Sequence, residues 1–250
     1  VYHAMTFMDD AYGRNYTDEM AKIEMDRLKD SGIKVCRTIF RSTWAGGTGS
    51  SFTGWNWDSE EMQAVYKWAR ELEKRDIDVM LNVGWQIDSI ATPGDSGNWY
   101  IETPYITGVG SDYYGESNGA DMSGLTSEQQ RMKRAALRYG EWASQALEAF
   151  RARGINNVKY MLAFTEPSRQ FADGSTTPAG PLAAQYLTLV EGLDEMLTKH
   201  GLRGSVKIIG PNQGSTEYGE GSLLDYALKN INKRSTIDIY SQHFYPPSMG

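Results

Sequence analysis

The chain has 250 residues and a net charge of −7, with 40% hydrophobic and 12% aromatic residues. That is apolar material for one sizeable core, at a length α/β barrels use as a single domain. An acidic chain of pI near 5.1 with no run of Lys and Arg lacks the electrostatic footprint of a nucleic-acid groove. The absence of eighteen consecutive apolar residues leaves no helical membrane span, and the single cysteine, Cys36, excludes a disulfide framework or a thiolate metal cluster.

Val1 to Met5 reads as the tail of a first strand. Thr17 is placed to cap a helix with Asp18 and Glu19 in its first turn, Met20, Ile23 and Leu28 on its buried face, and Gly32 at its stop. A strand from Lys34 to Phe40 follows, in which Cys36 reads as a buried, inert thiol. After the Gly/Ser/aromatic loop from Ser42 to Trp57, Asp58 with Glu61 predicts a capping box, and Met62, Val65, Tyr66, Ala69 and Leu72 keep helical spacing. The strand Ile77 to Val83 leads into the longest loop, Gly84 to Leu125, which holds Trp85, Trp99 and four tyrosines. Connections of that length are usually functional. Thr126 with Gln129 opens a third helix, striped by Met132, Ala135, Ala136, Tyr139, Trp142, Ala143, Ala146, Leu147 and Phe150.

A strand from Val158 is expected to run to Glu166, where Pro167 ends it. Pro181 opens a fourth helix burying Leu182, Tyr186, Leu189, Val190, Leu193 and Leu197. Val206 to Ile209 is a fifth strand and Ser222 the cap of a fifth helix carrying Leu224, Ala227, Leu228 and Ile231. Ile237 to His243 is a sixth strand.

Strands and helices alternate throughout, which calls for a parallel sheet with right-handed crossovers. Helix-to-strand links are tight and strand-to-helix links long and aromatic, so the elaboration collects at the C-terminal ends of the strands. The predicted architecture is a (β/α)8 TIM barrel seen as roughly its first six βα units, a single domain over residues 1–250 that stops short of closure. A doubly wound open sheet is the alternative. Against it, no G-x-G-x-x-G opens a helix, and Gly46-Gly47-Thr48-Gly49 has no P-loop lysine.

In a barrel of this kind catalytic groups emerge at the C-terminal strand ends, which makes Glu166 the candidate catalytic residue. Trp44, Trp55, Trp57, Trp85 and Trp99 stand outside the helical stripes and could stack on sugar rings. His3, His200 and His243 have no paired ligand spacing, and no G-x-S-x-G elbow is present. No cofactor or metal is expected.

Thr165-Glu166-Pro167 at the end of the fourth strand resembles the Asn-Glu-Pro signature of the clan A glycoside hydrolases, (β/α)8 retaining enzymes that include families 5, 30 and 39. Val35-Cys36-Arg37, Gly54-Trp55-Asn56-Trp57-Asp58 and Gln242-His243-Phe244-Tyr245 resemble further parts of that pattern. The resemblance implies that Glu166 is the general acid/base. It implies a nucleophilic carboxylate on a seventh strand beyond Gly250, about 5–5.5 Å from the first. It implies that Arg37 points into the barrel mouth, and that His243 and Tyr245 contact the nucleophile or a sugar hydroxyl. Thr165 replaces the family's asparagine and offers a hydroxyl where an amide is usual.

Each of these has a structural alternative: Glu166 paired with Arg169, Arg37 in an outward salt bridge with Arg41 as the competing arginine, and His243 as a satisfied barrel histidine. The functional expectation is retaining hydrolysis of a β-linked oligo- or polysaccharide, with no nucleic-acid or membrane partner and a secreted or periplasmic location. A non-catalytic carbohydrate-binding barrel is the alternative, and the oligomeric state is not legible.

Overall fold

The computed structural model describes residues 2–3, 17–40, 42–45, 54–83, 115–164, 181–213, 223–230 and 236–242. Among them six strands form one sheet: β1 (Tyr2–His3), β2 (Val35–Phe40), β3 (Asp78–Val83), β4 (Val158–Ala163), β5 (Lys207–Gln213) and β6 (Ile239–Gln242). Every neighbouring pair is parallel and the spatial order is the chain order, β1 to β6. Helices α1 (Asp18–Asp30), α2 (Glu60–Glu73), α3 (Ser127–Ala152), α4 (Pro181–Lys199) and α5 (Leu223–Asn230) alternate with the strands. A doubly wound sheet reverses its strand order part-way. Among the described residues this one never does, so the architecture is the predicted barrel wall, five successive βα units and a sixth strand.

The tight helix-to-strand turns share one device. Gly32, Asp76, Gly154 and Gly201 adopt left-handed backbones, with φ of 74°, 56°, 72° and 69°. The next amide in each case bonds back into the helix: Ile33 to Leu28 (3.0 Å), Ile77 to Leu72 (3.1 Å), Ile155 to Phe150 (3.0 Å) and Leu202 to Leu197 (2.8 Å). This is the Schellman arrangement, in which an apolar residue past the turn meets one in the last helical turn. Three of the four turns use glycine, which bears the left-handed conformation without a Cβ penalty, and Asp76 is the exception.

Strand alternation sorts the side chains to two faces. Cys36, Phe40, Val79, Leu81, Val83, Met161, Ala163 and Ile208 belong to the cluster shared with the helices. Within it the Phe40 ring stacks on Trp142 (5.5 Å, 14°) and Tyr66 meets Phe150 edge-on (5.1 Å, 87°). The intervening residues define the inner face in register levels. His3, Arg37, Met80, Tyr160 and Lys207 pair across the sheet at one level, and Ile39, Asn82, Leu162, Ile209 and Ile239 at the next. Cys36 is buried as predicted.

Helices α3 and α4 approach closely through small residues. A Cβ on Gly140 would lie 2.3 Å from the Gly192 carbonyl oxygen, and one on Gly192 would lie 2.5 Å from the Ala136 carbonyl oxygen. Near the last turn of α4 a short 3-10 turn, Gly115–Gly119, docks on both helices. The Glu116 amide donates to Glu141 Oε2 (2.9 Å), and its carboxylate pairs with Lys199 (2.5 Å) and His200 Nε2 (2.8 Å). His200 Nδ1 meets Glu148 (2.8 Å). Burial alone would lower the His200 pKa, but the Glu148 hydrogen bond and the charges of Glu116 and Glu148 outweigh it and raise it.

Several local expectations are corrected. The cap of α2 is Ser59, whose hydroxyl accepts from the Met62 amide (3.2 Å), whereas Asp58 pairs with Arg153. Thr17 and the Thr126/Gln129 capping box cap as predicted. Met20 and Ile23 are 48% and 45% exposed, because α1 turns Met25 and Leu28 to the core and leaves those two outside that contact. Leu228 is likewise exposed and Leu223 takes the buried place in α5. Strand β5 continues past Ile209 through Gly210 and Pro211 to Gln213, and β6 starts only at Ile239. Strand β4 ends at Ala163 rather than Glu166. The Leu182 side chain, Ile231 and Ser222 lie outside the described residues.

Candidate active site

The C-terminal ends of β3, β4, β5 and β6 form the rim from which a barrel presents its chemistry. At the centre of this rim, β4 leaves the ladder at Phe164, whose φ is +64°. A bulky residue in the left-handed region is unusual and persists only where its surroundings hold it. Here they do. The Phe164 side chain is fully buried and its ring packs on Tyr139 of α3 (5.5 Å, 35°). Its amide donates to the carbonyl of Val83, the last residue of β3 (3.3 Å), and the Tyr139 hydroxyl donates to the same oxygen at 2.6 Å.

One residue earlier, the Ala163 carbonyl accepts from the Tyr186 hydroxyl of α4 (3.1 Å). That hydroxyl occupies space beside Gly210 of β5, where a Cβ would stand 2.4 Å from it. Burial raises the pKa of both phenols, that of Tyr139 with a further contribution from Tyr186, so both keep their protons and remain donors. Two helices thus clamp adjacent strand ends immediately before Thr165 and Glu166.

The inner face beneath the rim is partly polar. Arg37 lies on it, half-buried with its Nε enclosed, three residues before the end of β2 and so about 10 Å below the strand ends. Asn82, one register level higher, is completely buried. At the rim itself Ser241 of β6 donates to the Asn212 side chain of β5 (3.0 Å). Asn82, Asn212 and Ser241 were not singled out from sequence. A lone amide in the apolar run of β3 was the available signal, since a buried polar side chain in a strand must have a partner.

The candidate tryptophans of the β2–α2 connection are turned to packing. Trp44 meets Phe40 edge-on (6.0 Å, 81°), while Trp55 contacts both Trp57 (6.1 Å) and Trp142 (6.3 Å). All three are half-buried against the helix-side core. The Trp57 carbonyl is held by the Tyr66 hydroxyl (2.9 Å), and that of Trp44 by Ser59. Glu166, Thr165, Trp85, Trp99, His243 and Tyr245 lie outside the described residues, as do Arg41 and Arg169. Among the described residues no group of three His, Cys, Asp or Glu side chains could hold a metal ion, and no helix is long and apolar enough to cross a membrane.

No protein-family model and no curated protein matches the sequence. Solved structures do. An endo-1,4-β-mannanase from Rhizomucor miehei is similar over 98% of this chain and 66% of its own, at 15% identity and a TM-score of 0.50. The shared fold is the (β/α)8 barrel. A family 5 glycoside hydrolase from Bacteroides vulgatus matches over 95% of this chain and 38% of its own (10% identity, TM-score 0.45). A β-glucosidase from Trichoderma harzianum matches over 83% and 39% (13% identity, TM-score 0.42). The chain therefore spans less than two thirds of each of these glycoside hydrolases.

Proposed function

We propose that this chain is the larger part of a retaining glycoside hydrolase barrel, acting on a β-linked oligo- or polysaccharide, in which Glu166 is the general acid/base. The observation that carries the reading is the exit of β4. The fourth strand of the barrel ends at Ala163, so Glu166 follows within three residues of the strand end where such folds keep their catalytic groups. The carboxyl would protonate the glycosidic oxygen as the bond breaks and then deprotonate the water that releases the glycosyl intermediate. The nucleophile in this reading is a second carboxylate on a further strand outside these 250 residues.

The open flanks of the sheet support that completion. The large apolar side chains exposed among the described residues, Met20, Ile23, Leu228, Ile239 and Tyr240, sit on α1, α5 and β6, elements at the two ends of the described sheet. Closure by further βα units would cover them. A polymeric glycan does not cross membranes, so the reading carries with it a secreted or periplasmic location. Measured on the full protein, Glu166→Gln is expected to lower kcat/KM for an unactivated glycoside about 10²–10⁴-fold. Activity within tenfold of wild type rejects the role. Sugar binding without turnover in the wild type would make the barrel a carbohydrate-binding module instead.

A further inference from the structure

We propose that Tyr139 and Tyr186 are positioning residues for the Glu166 carboxyl, aiming it by fixing the backbone from which it emerges. The inference rests on the reading of Glu166 as the acid/base, and it concerns how that group is held. Two residues of chain, at most about 7 Å, separate Phe164 from Glu166. Phe164 is therefore the last held point of the backbone before the proposed acid/base.

That point is held from the helix layer. The Val83 carbonyl receives both the Tyr139 hydroxyl (2.6 Å) and the Phe164 amide (3.3 Å), which ties the end of β3 to the first residue past β4. The Ala163 carbonyl receives the Tyr186 hydroxyl (3.1 Å). Gly210 leaves room for that oxygen, since a Cβ there would stand 2.4 Å away, and β5 is brought into the same clamp. Phe164 stays left-handed at +64° between these two anchors, with its ring on Tyr139. Without them the left-handed backbone at Phe164, two residues before Glu166, would lose the contacts that hold it. Proton delivery to a leaving oxygen needs hydrogen-bond geometry, and a displacement of about 1 Å can cost on the order of 10²-fold.

The test compares Tyr139→Phe and Tyr186→Phe with Glu166→Gln in the full protein, using aryl β-glycosides of graded leaving-group pKa. Only a poor leaving group needs the acid, so kcat/KM for a dinitrophenyl glycoside reports everything except proton donation. Either tyrosine variant is expected to lower kcat/KM about tenfold or more for the poorest leaving group and to leave the dinitrophenyl substrate within about twofold, a weaker copy of Glu166→Gln. Tyr66→Phe removes a comparable phenol-to-carbonyl bond to Trp57 (2.9 Å) away from the β4 exit. It should leave the leaving-group dependence unchanged.

Tyrosine variants that slow all substrates equally, or none, while Glu166→Gln keeps its selective loss, overturn the positioning role. If Glu166→Gln is itself without effect, the failure belongs to the acid/base reading. The two tyrosines are on different helices, so a variant that does not fold leaves the other to decide.

Discussion

Replacing His200 by Gln removes a charge clasped between two carboxylates, and the loss should depend on pH with a predictable sign. The imidazole is 12% exposed; Glu116 on one side is 27% and Glu148 on the other 47% exposed, each at 2.8 Å. The two nitrogens both donate only in the imidazolium form. The Glu116 bond, better shielded, falls in the range of charge-assisted bonds at about 1.5–3 kcal/mol, while the Glu148 bond is screened and adds at most about 1 kcal/mol. About 2 kcal/mol is therefore expected from His200→Gln where the clasp is intact, or about 4–8 °C in Tm for a chain of this size.

Because the folded pKa of His200 is raised above 6.5, this stabilisation is fully present below that value and is lost as pH rises through the raised one. Glu116 closes the window from the acid side. Burial would raise its pKa, but the Lys199 hydrogen bond and the His200 charge outweigh it and hold it below 4.5. Its contribution is present above pH 4.5 and disappears as pH falls through the lowered value. Above the upper limit the neutral ring donates to one carboxylate and turns a lone pair toward the other. Urea unfolding of wild type and His200→Gln should give a difference of about 2 kcal/mol at pH 6 and a smaller one at pH 9. Equal differences at the two pH values would refute the clasp.

Gly192→Ala should destabilise by about 1–2 kcal/mol despite the better helix propensity of alanine. The new methyl would stand 2.5 Å from backbone atoms of Ala136 and push α3 and α4 apart, and a denaturant midpoint at or above wild type would contradict that. Asp76→Gly should instead stabilise, by about 0.5–1 kcal/mol, because of the four left-handed helix-to-strand turns described above this is the one without glycine, and it holds φ at +56°. Thermal unfolding checks it, and a lowered Tm would show that the aspartate side chain contributes more than its backbone strain costs.

What the sequence made legible is what local chemistry decides. Thr17, the Thr126/Gln129 box and the Gly-ended helices declare themselves, because each cap is satisfied within a few residues of itself. The choice of Ser59 over Asp58 was not legible: both are good caps, and a tertiary partner, Arg153, draws Asp58 away. Met20 and Ile23 fit the helical stripe as well as Met25 does, and only the position of α1 at the border of the sheet leaves them uncovered. Pro167 suggested that β4 reaches Glu166, yet the strand ends at Ala163, because the ladder depends on neighbouring strands rather than on the first residue unable to donate. Tyr139 and Tyr186 were readable as core positions, but nothing local tells where a buried hydroxyl finds its acceptor.

The two ends of the sheet are consequently held by different means, and this bears on where chemistry can reside. At the N-terminal ends β2, β3, β4 and β5 are each entered through a turn closed by the preceding helix, so bonds and apolar contact span five residues, as from Ile155 back to Phe150. Such ends have little freedom to vary. At the C-terminal ends the carbonyls of Val83 and Ala163 take their hydrogens from phenols 56 and 23 residues away. A strand end fixed from the helix layer does not need its own loop for stability, so the residues that follow can be chosen for what they do. Glu166 comes three residues after such a fixed point, and the long, aromatic strand-to-helix connections start from the same rim. In the proposed reading, the rigidity that a general acid requires is then supplied from the helix layer.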